Sequence, residues 1–175
     1  MIVIVAGVAG SGKTTVGGLL ADRLHWRFAD GDGFHSAANI AKMHAGIPLT
    51  DEDRRPWLQA ITAWMDERIA HGESAVVACS ALRRSSRDAL LRGRPRARMI
   101  FLAVDRDVCD RRLLARHGHF FPEKLLNSQF TALEPPQPDE HAVTVLPTGD
   151  PEDMVTAIIA IVQPRAADGD HEAHA

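Results

Sequence analysis

Residues 2–24 constrain this chain more than any other stretch. The apolar run Ile2-Val3-Ile4-Val5-Ala6 reads as a buried parallel strand. It leads into Gly7-Val8-Ala9-Gly10-Ser11-Gly12-Lys13-Thr14, which fills the template G-x-x-x-x-G-K-[ST]. A helical pattern follows, with Val16, Leu19, Leu20 and Leu24 on one face. Strand, glycine loop and helix in that order make a phosphate site. The glycines let successive N–H groups turn inward, and the helix N-terminus adds its partial positive charge. Lys13 is placed to reach the β- and γ-phosphates, and the Thr14 hydroxyl to ligate Mg²⁺, with Thr15 next to it at the helix start. A bare Gly-rich turn rarely carries Lys-Thr at the required place, so the pattern predicts a site for a nucleoside triphosphate with Mg²⁺.

The length of 175 residues suits one α/β domain with a sizeable core. With a net charge of −3 there is no basic footprint for nucleic acid, and the local arginine clusters read mostly as solvated helix faces. The two cysteines lack metal-site spacing; Cys79 sits in an apolar strand-like run and Cys109 in a helical one, and both read as small buried hydrophobes in a reducing compartment. The chain enters its first strand at once, and no apolar run approaches membrane-spanning length. The expectation is a cytoplasmic protein with no membrane partner.

Further apolar runs alternate with helical patterns, the mark of a parallel sheet with crossover helices. Strands are expected at 27–30, 75–79, 99–104 and 142–146. Helices are expected over a long amphipathic stretch carrying Trp57, Leu58, Ile61, Trp64, Met65 and Ile69, then near 85–91, from Asp105 to about Arg116, near 123–130, and from Asp150-Pro151 onward. The run 48–57 reads as a charged loop capped by Thr50 or Asp51. The whole is a P-loop NTPase fold, five parallel strands with helices on both faces, and ligands should gather at the carboxyl ends of the strands. Residues 1–163 are expected to form one P-loop domain, with a lid at about 116–123. The tail 164–175 reads as a frayed, disordered terminus.

Several groups add chemistry at those strand ends. Asp30-Gly31-Asp32 offers two carboxylates, one able to orient Mg²⁺ through its waters and the other to accept a hydroxyl proton. His35 follows closely, and Asn39 and Lys42 can share a helix face. Ser80-Ala81-Leu82-Arg83 brings a hydroxyl and a guanidinium suited to a small anionic substrate. Arg111 to Phe121 is rich in cations and aromatics around Gly118, as in a lid that excludes water from phosphoryl transfer.

These blocks resemble the gluconokinases of the P-loop kinase class. The resemblance rests on GVAGSGKTT, FADGDGFHSAANIAKMHAGIPLTDEDRRPWL, CSALRRSSRD, RRLLARHGHFF and SQFTALEPPQPDE, in the family's order over residues 7 to about 140. It implies transfer of the ATP γ-phosphoryl group to the 6-hydroxyl of D-gluconate, with Mg²⁺ as cofactor, in an enzyme that often forms homodimers. It places Asp32 as base or hydroxyl-orienting group and Asp30 nearer the metal. His35, Arg54, Ser80 and Arg83 would line the gluconate site, and Arg112 and Arg116 would close over the phosphates. Four positions depart from the family pattern. Ser36 stands for a common Pro, which loosens that turn; Arg83 stands for Lys, Ser86 for an aromatic and His117 for a lid cation. A shikimate-type or nucleoside monophosphate kinase would share sheet and lid. A GTPase switch would need N-K-x-D, which is absent, and a silent regulator should have lost Lys13 or the aspartates.

Overall fold

In a computed structural model of the chain, residues 1–115, 122–147 and 149–163 are described. Five strands, β1 (Ile2–Ala6), β2 (Arg27–Asp30), β3 (Ala75–Cys79), β4 (Ala97–Leu102) and β5 (Ala142–Val145), form one sheet in the order β2-β3-β1-β4-β5. Every pairing is parallel, with Ile2 opposite both Ala75 and Ala97 and Ala6 opposite both Cys79 and Phe101. The uniform direction puts all five carboxyl ends on one edge.

Side chains of β1 alternate between two cores because successive residues of a strand point to opposite faces. Ile2, Ile4 and Ala6 pack under α3 (Asp51–Ala70) with Trp57, Ile61 and Met65. Val3 and Val5 pack under α1 (Lys13–Leu24) and α7 (Pro151–Val162), against Val16, Leu20, Val155 and Ile158. A third cluster, Val8, Ala9, Leu82, Cys109 and Leu126, lies beneath the phosphate loop and reaches α5 (Arg106–Leu114) and α6 (Glu123–Ala132). Both cysteines are free and buried, and burial pushes the Cys79 thiol up to about 12.

Some boundaries differ from the sequence pattern. The fourth strand is Ala97–Leu102, because the parallel partners on β1 end at Ala6 opposite Phe101. The charged run after Pro48 is helical from Asp51. Thr50 and Asp53 form a reciprocal capping box there, and Asp51, Glu52 and Asp53 complement the helix dipole despite Pro56 inside the helix. Of the predicted apolar face of α3, Ile69 is 44% exposed, past the point where the sheet covers the helix. The helix opening after Asp105 ends at Leu114, and Asp105 makes no side-chain cap bond. Ser36 does not loosen its turn: its hydroxyl caps α2 (Ala37–His44) by accepting from Asn39 N at 3.2 Å. Asn39 and Lys42 do share a face, which is pinned to α3. Asn39 Nδ2 donates to Asp53 O at 2.8 Å, and Lys42 Nζ meets the Asp53 carboxylate at 2.7 Å. No described helix is long and apolar enough to cross a membrane. The lid centre 116–121 and the tail 164–175 lie outside the described residues.

Gly31 sets how closely the D-G-D segment approaches the sheet. A Cβ there would meet Ala78 O at 2.6 Å and Cys79 Cβ at 2.8 Å, and neither can swing away. Gly31→Ala is therefore expected to cost about 2 kcal/mol and to lower the melting temperature by roughly 5 °C, measurable by circular dichroism.

Candidate active site

The phosphate loop turns sharply between β1 and α1. Gly7, Gly10 and Gly12 hold φ of 151°, 78° and 97°, a region that L side chains rarely adopt. A Cβ at Gly10 would also strike Cys109 O at 2.8 Å, so the loop sits directly on α5. Lys13 Nζ donates to Val8 O at 3.4 Å across the loop. The buried Ser11 Oγ has no hydrogen-bond partner among the described residues. An inward-curled glycine loop, a helix N-terminus, a lysine and an orphaned hydroxyl suit a polyphosphate.

Asp30 and Asp32 are engaged differently. Asp30 Oδ1 accepts from Asp32 N at 3.0 Å and caps the short 3₁₀ turn Gly31–Phe34, while Oδ2 accepts from Thr14 Oγ1 at 2.8 Å. That hydroxyl and carboxylate are hard oxygen donors at the foot of the loop. Among the described residues no group of three or more His, Cys, Asp or Glu is placed to hold a metal ion. A metal here would take one or two protein oxygens and fill its remaining positions with water and phosphate, the habit of Mg²⁺ rather than of a caged ion. The Asp32 carboxylate makes no hydrogen bond among the described residues and lines the neighbouring cleft.

That cleft, about 120 Å³, brings Lys13, Asp32, His35, Arg54, Ser80 and Arg83 together. Arg54 Nη1 donates to Asp51 Oδ1 at 2.8 Å and Arg83 Nη1 to Asp51 Oδ2 at 2.6 Å. One carboxylate thus joins guanidiniums from α3 and from the loop after β3. Ser80 O accepts from Gly7 N at 3.3 Å, linking that loop to the phosphate loop. Arg112, on α5, donates through Nη1 to Ser11 O at 3.2 Å. Thr15 is exposed on the first turn of α1, and Arg116 lies outside the described residues.

Three participants were not singled out as site residues from the sequence. Asp51 read as a helix cap, and only the approach of Arg83 makes it a bridge. Trp57 read as core, yet its Nε1 donates to Gly31 O at 2.7 Å and its ring stacks on His35 with centroids 4.7 Å apart. Gln129 Oε1, from α6, accepts from Ala9 N in the phosphate loop at 2.7 Å across 120 residues of chain. No local signal marks that contact.

The His35 imidazole is half-buried against Trp57, and its Nδ1 has no partner among the described residues. Burial pulls its pKa below the ordinary 6.5; the Asp32 carboxylate opposes this and Arg54 adds to it. Above the unfolded value both states carry a neutral ring, so stability is unaffected. As pH falls through 6.5 the unfolded chain takes up a proton that the folded chain resists, and stability drops until the lower folded value is passed. Urea unfolding at about pH 7.5 and about pH 5.5 should therefore show a loss of stability that is smaller in His35→Gln than in the unsubstituted chain.

Comparison with known proteins places this cleft in context. The shikimate kinase family profile matches residues 9–135. The thermoresistant gluconokinase of Escherichia coli is 40% identical over 163 residues, covering 93% of both chains. A probable gluconokinase of Mus musculus is 42% identical over 161 residues, 82% of this chain and 88% of the relative. The crystal structure of a gluconokinase from Sinorhizobium meliloti 1021 superposes with a TM-score of 0.81 at 41% identity, over 91% of this chain and 90% of that one. The shikimate kinase match and the gluconokinase relatives agree on a P-loop kinase fold, and identity near 40% over most of the length separates the two. This chain belongs to the gluconokinase family of P-loop kinases.

Proposed function

We propose that this cleft transfers the γ-phosphoryl group of ATP to the 6-hydroxyl of D-gluconate, giving 6-phospho-D-gluconate and ADP. The observation that carries the reading is the convergence of Arg54 and Arg83 in the cleft that also holds Lys13 and Asp32. A polyol acid needs cationic donors at its carboxylate end and a phosphate loop at its hydroxyl end. Each guanidinium has five N–H donors, and Asp51 engages one nitrogen of each, so donors remain for a substrate carboxylate.

The chain's own groups would act by position and charge rather than by covalent chemistry. Lys13 would leave the Val8 carbonyl for the β- and γ-phosphates. Asp32, whose carboxylate makes no hydrogen bond among the described residues, would orient the acceptor hydroxyl and take its proton. Thr14 and Asp30 would hold Mg²⁺, whose charge, when bound, offsets that of the phosphate oxygens. His35 and Ser80 would contact the polyol. Within the loop Gly7–Thr15, backbone N–H groups not already engaged, among them those of Gly10 and of Gly12 to Thr15, would cradle the phosphates, with Arg112 beside them and Arg116 closing from the lid. In this reading residues 1–163 act as one kinase domain, with the lid at about 116–123 excluding water from the transfer.

The first test is ADP release with Mg²⁺-ATP and D-gluconate, shikimate, nucleoside monophosphates or no acceptor. Turnover is expected only with gluconate, and turnover with another acceptor instead would overturn the substrate assignment. Lys13→Ala should lower kcat on the order of 10³-fold or more. Asp32→Asn should depress kcat while ATP-analogue binding persists. Loss of both in parallel would make Asp32 a structural or metal residue.

A further inference from the structure

The loop Ser80–Arg83, one wall of the acceptor cleft, is held by a buried ion pair, Arg87 with Glu140, neither of which lines that cleft. Ala81 is fully buried and adopts φ of +39°, a left-handed conformation unfavourable for alanine. Such a backbone persists only when its surroundings enforce it.

The enforcing group is Arg87, on α4 (Arg84–Leu91), a charged side chain only 1% exposed. Its Nη1 donates to Leu82 O at 2.9 Å and Ala81 O at 3.3 Å. Its Nε and Nη2 form a fork onto Glu140, at 2.5 and 2.9 Å. The guanidinium holds the Glu140 carboxyl below its ordinary value against the opposing effect of burial. Glu140 ends the Pro-rich segment after α6, and that segment grips the same loop once more and the start of α4 beside it. Glu134 N donates to Leu82 O at 3.0 Å, and Glu134 Oε2 accepts from Arg84 N at 2.7 Å. Just before that segment, in the last turn of α6, Gln129 is bonded to Ala9 of the phosphate loop. One continuous stretch, 129–140, therefore fastens both the loop that faces the donor and the loop that faces the acceptor.

A buried ion pair is a poor device for stability alone, since apolar residues of equal volume often serve as well or better. This pair is aimed elsewhere, with the guanidinium's remaining nitrogen turned onto the two carbonyls between Ser80 and Arg83. We propose that Arg87 and Glu140 are positioning residues for phosphoryl transfer, holding Ser80 and Arg83 in register with the phosphate loop. The identity of the acceptor rests on the gluconate kinase reading above; the positioning role rests on the contacts of Arg87.

The test compares Arg87→Lys, which keeps the charge but loses the planar fork, with Glu140→Gln, which keeps the shape but loses the charge. Both are assayed with ATP and gluconate, alongside ATP-analogue binding and thermal melting. The expected result in both is a rise in the gluconate KM of about tenfold and a fall in kcat of roughly 10- to 100-fold. ATP-analogue affinity should stay within about twofold, and the gluconate effects should be smaller in Glu140→Gln, which retains a carbonyl acceptor. Lower melting temperatures with unchanged gluconate KM and kcat, or equal weakening of ATP and gluconate, would overturn the proposal. Should Arg87→Lys fail to fold, Glu140→Gln decides by the same criteria. If the unsubstituted enzyme ignores gluconate, the substrate reading fails, and the two variants are compared on the acceptor that it does phosphorylate.

Discussion

The parallel pairing of β1 between β3 and β4 is the constraint on which everything else depends. All five residues of β1 are fully buried, covered by helices on both faces and by strands on both edges. A strand so enclosed can end only by turning sharply out of the sheet, and the glycine loop makes that turn. Because every strand runs the same way, Asp30, Ser80 and the phosphate loop leave the sheet at one edge. Convergence of the site is thus a consequence of sheet direction, before any side chain is chosen.

Around that edge the chain uses long-range polar contacts where covalent neighbours cannot help. Gly7 N reaches Ser80 O, Ala9 N reaches Gln129, and Trp57 Nε1 reaches Gly31 O. Each contact satisfies a backbone group in a segment too irregular to pair within itself. Together they tie the phosphate loop to the wall after β3 and to α6, and the D-G-D turn to α3. The short range of hydrogen bonds makes such a frame stiff, and stiffness is what transfer by proximity requires.

The two aspartates show how backbone geometry divides labour between identical side chains. Asp30 caps the turn that follows it and meets Thr14, so both its oxygens are engaged. Asp32, one residue beyond the intervening glycine, is left with its carboxylate facing the cleft. The spacing itself was plain in the sequence. The difference in engagement was not, because it depends on where the 3₁₀ turn begins and on how close α1 comes.

Local features of the sequence determined the strand–loop–helix unit, the five strands, the amphipathic helices and the candidate residues of each motif. These follow from periodicity, glycine conformation and capping chemistry, which act within a few residues. Boundaries moved where a neighbour decided them, as at β4, whose pairing follows β1, and at α3, whose capping box outweighed the charged, proline-bearing run. Only the tertiary structure decided that Asp51 would join Arg54 to Arg83, that Trp57 would floor the cleft beneath His35, and that Gln129 and Glu140 would reach back to the two loops. Those pairings span between 22 and 120 residues in sequence wherever they cross elements. They arise because packing a parallel sheet brings distant segments to one edge, and no pattern within a short window encodes which of them will meet.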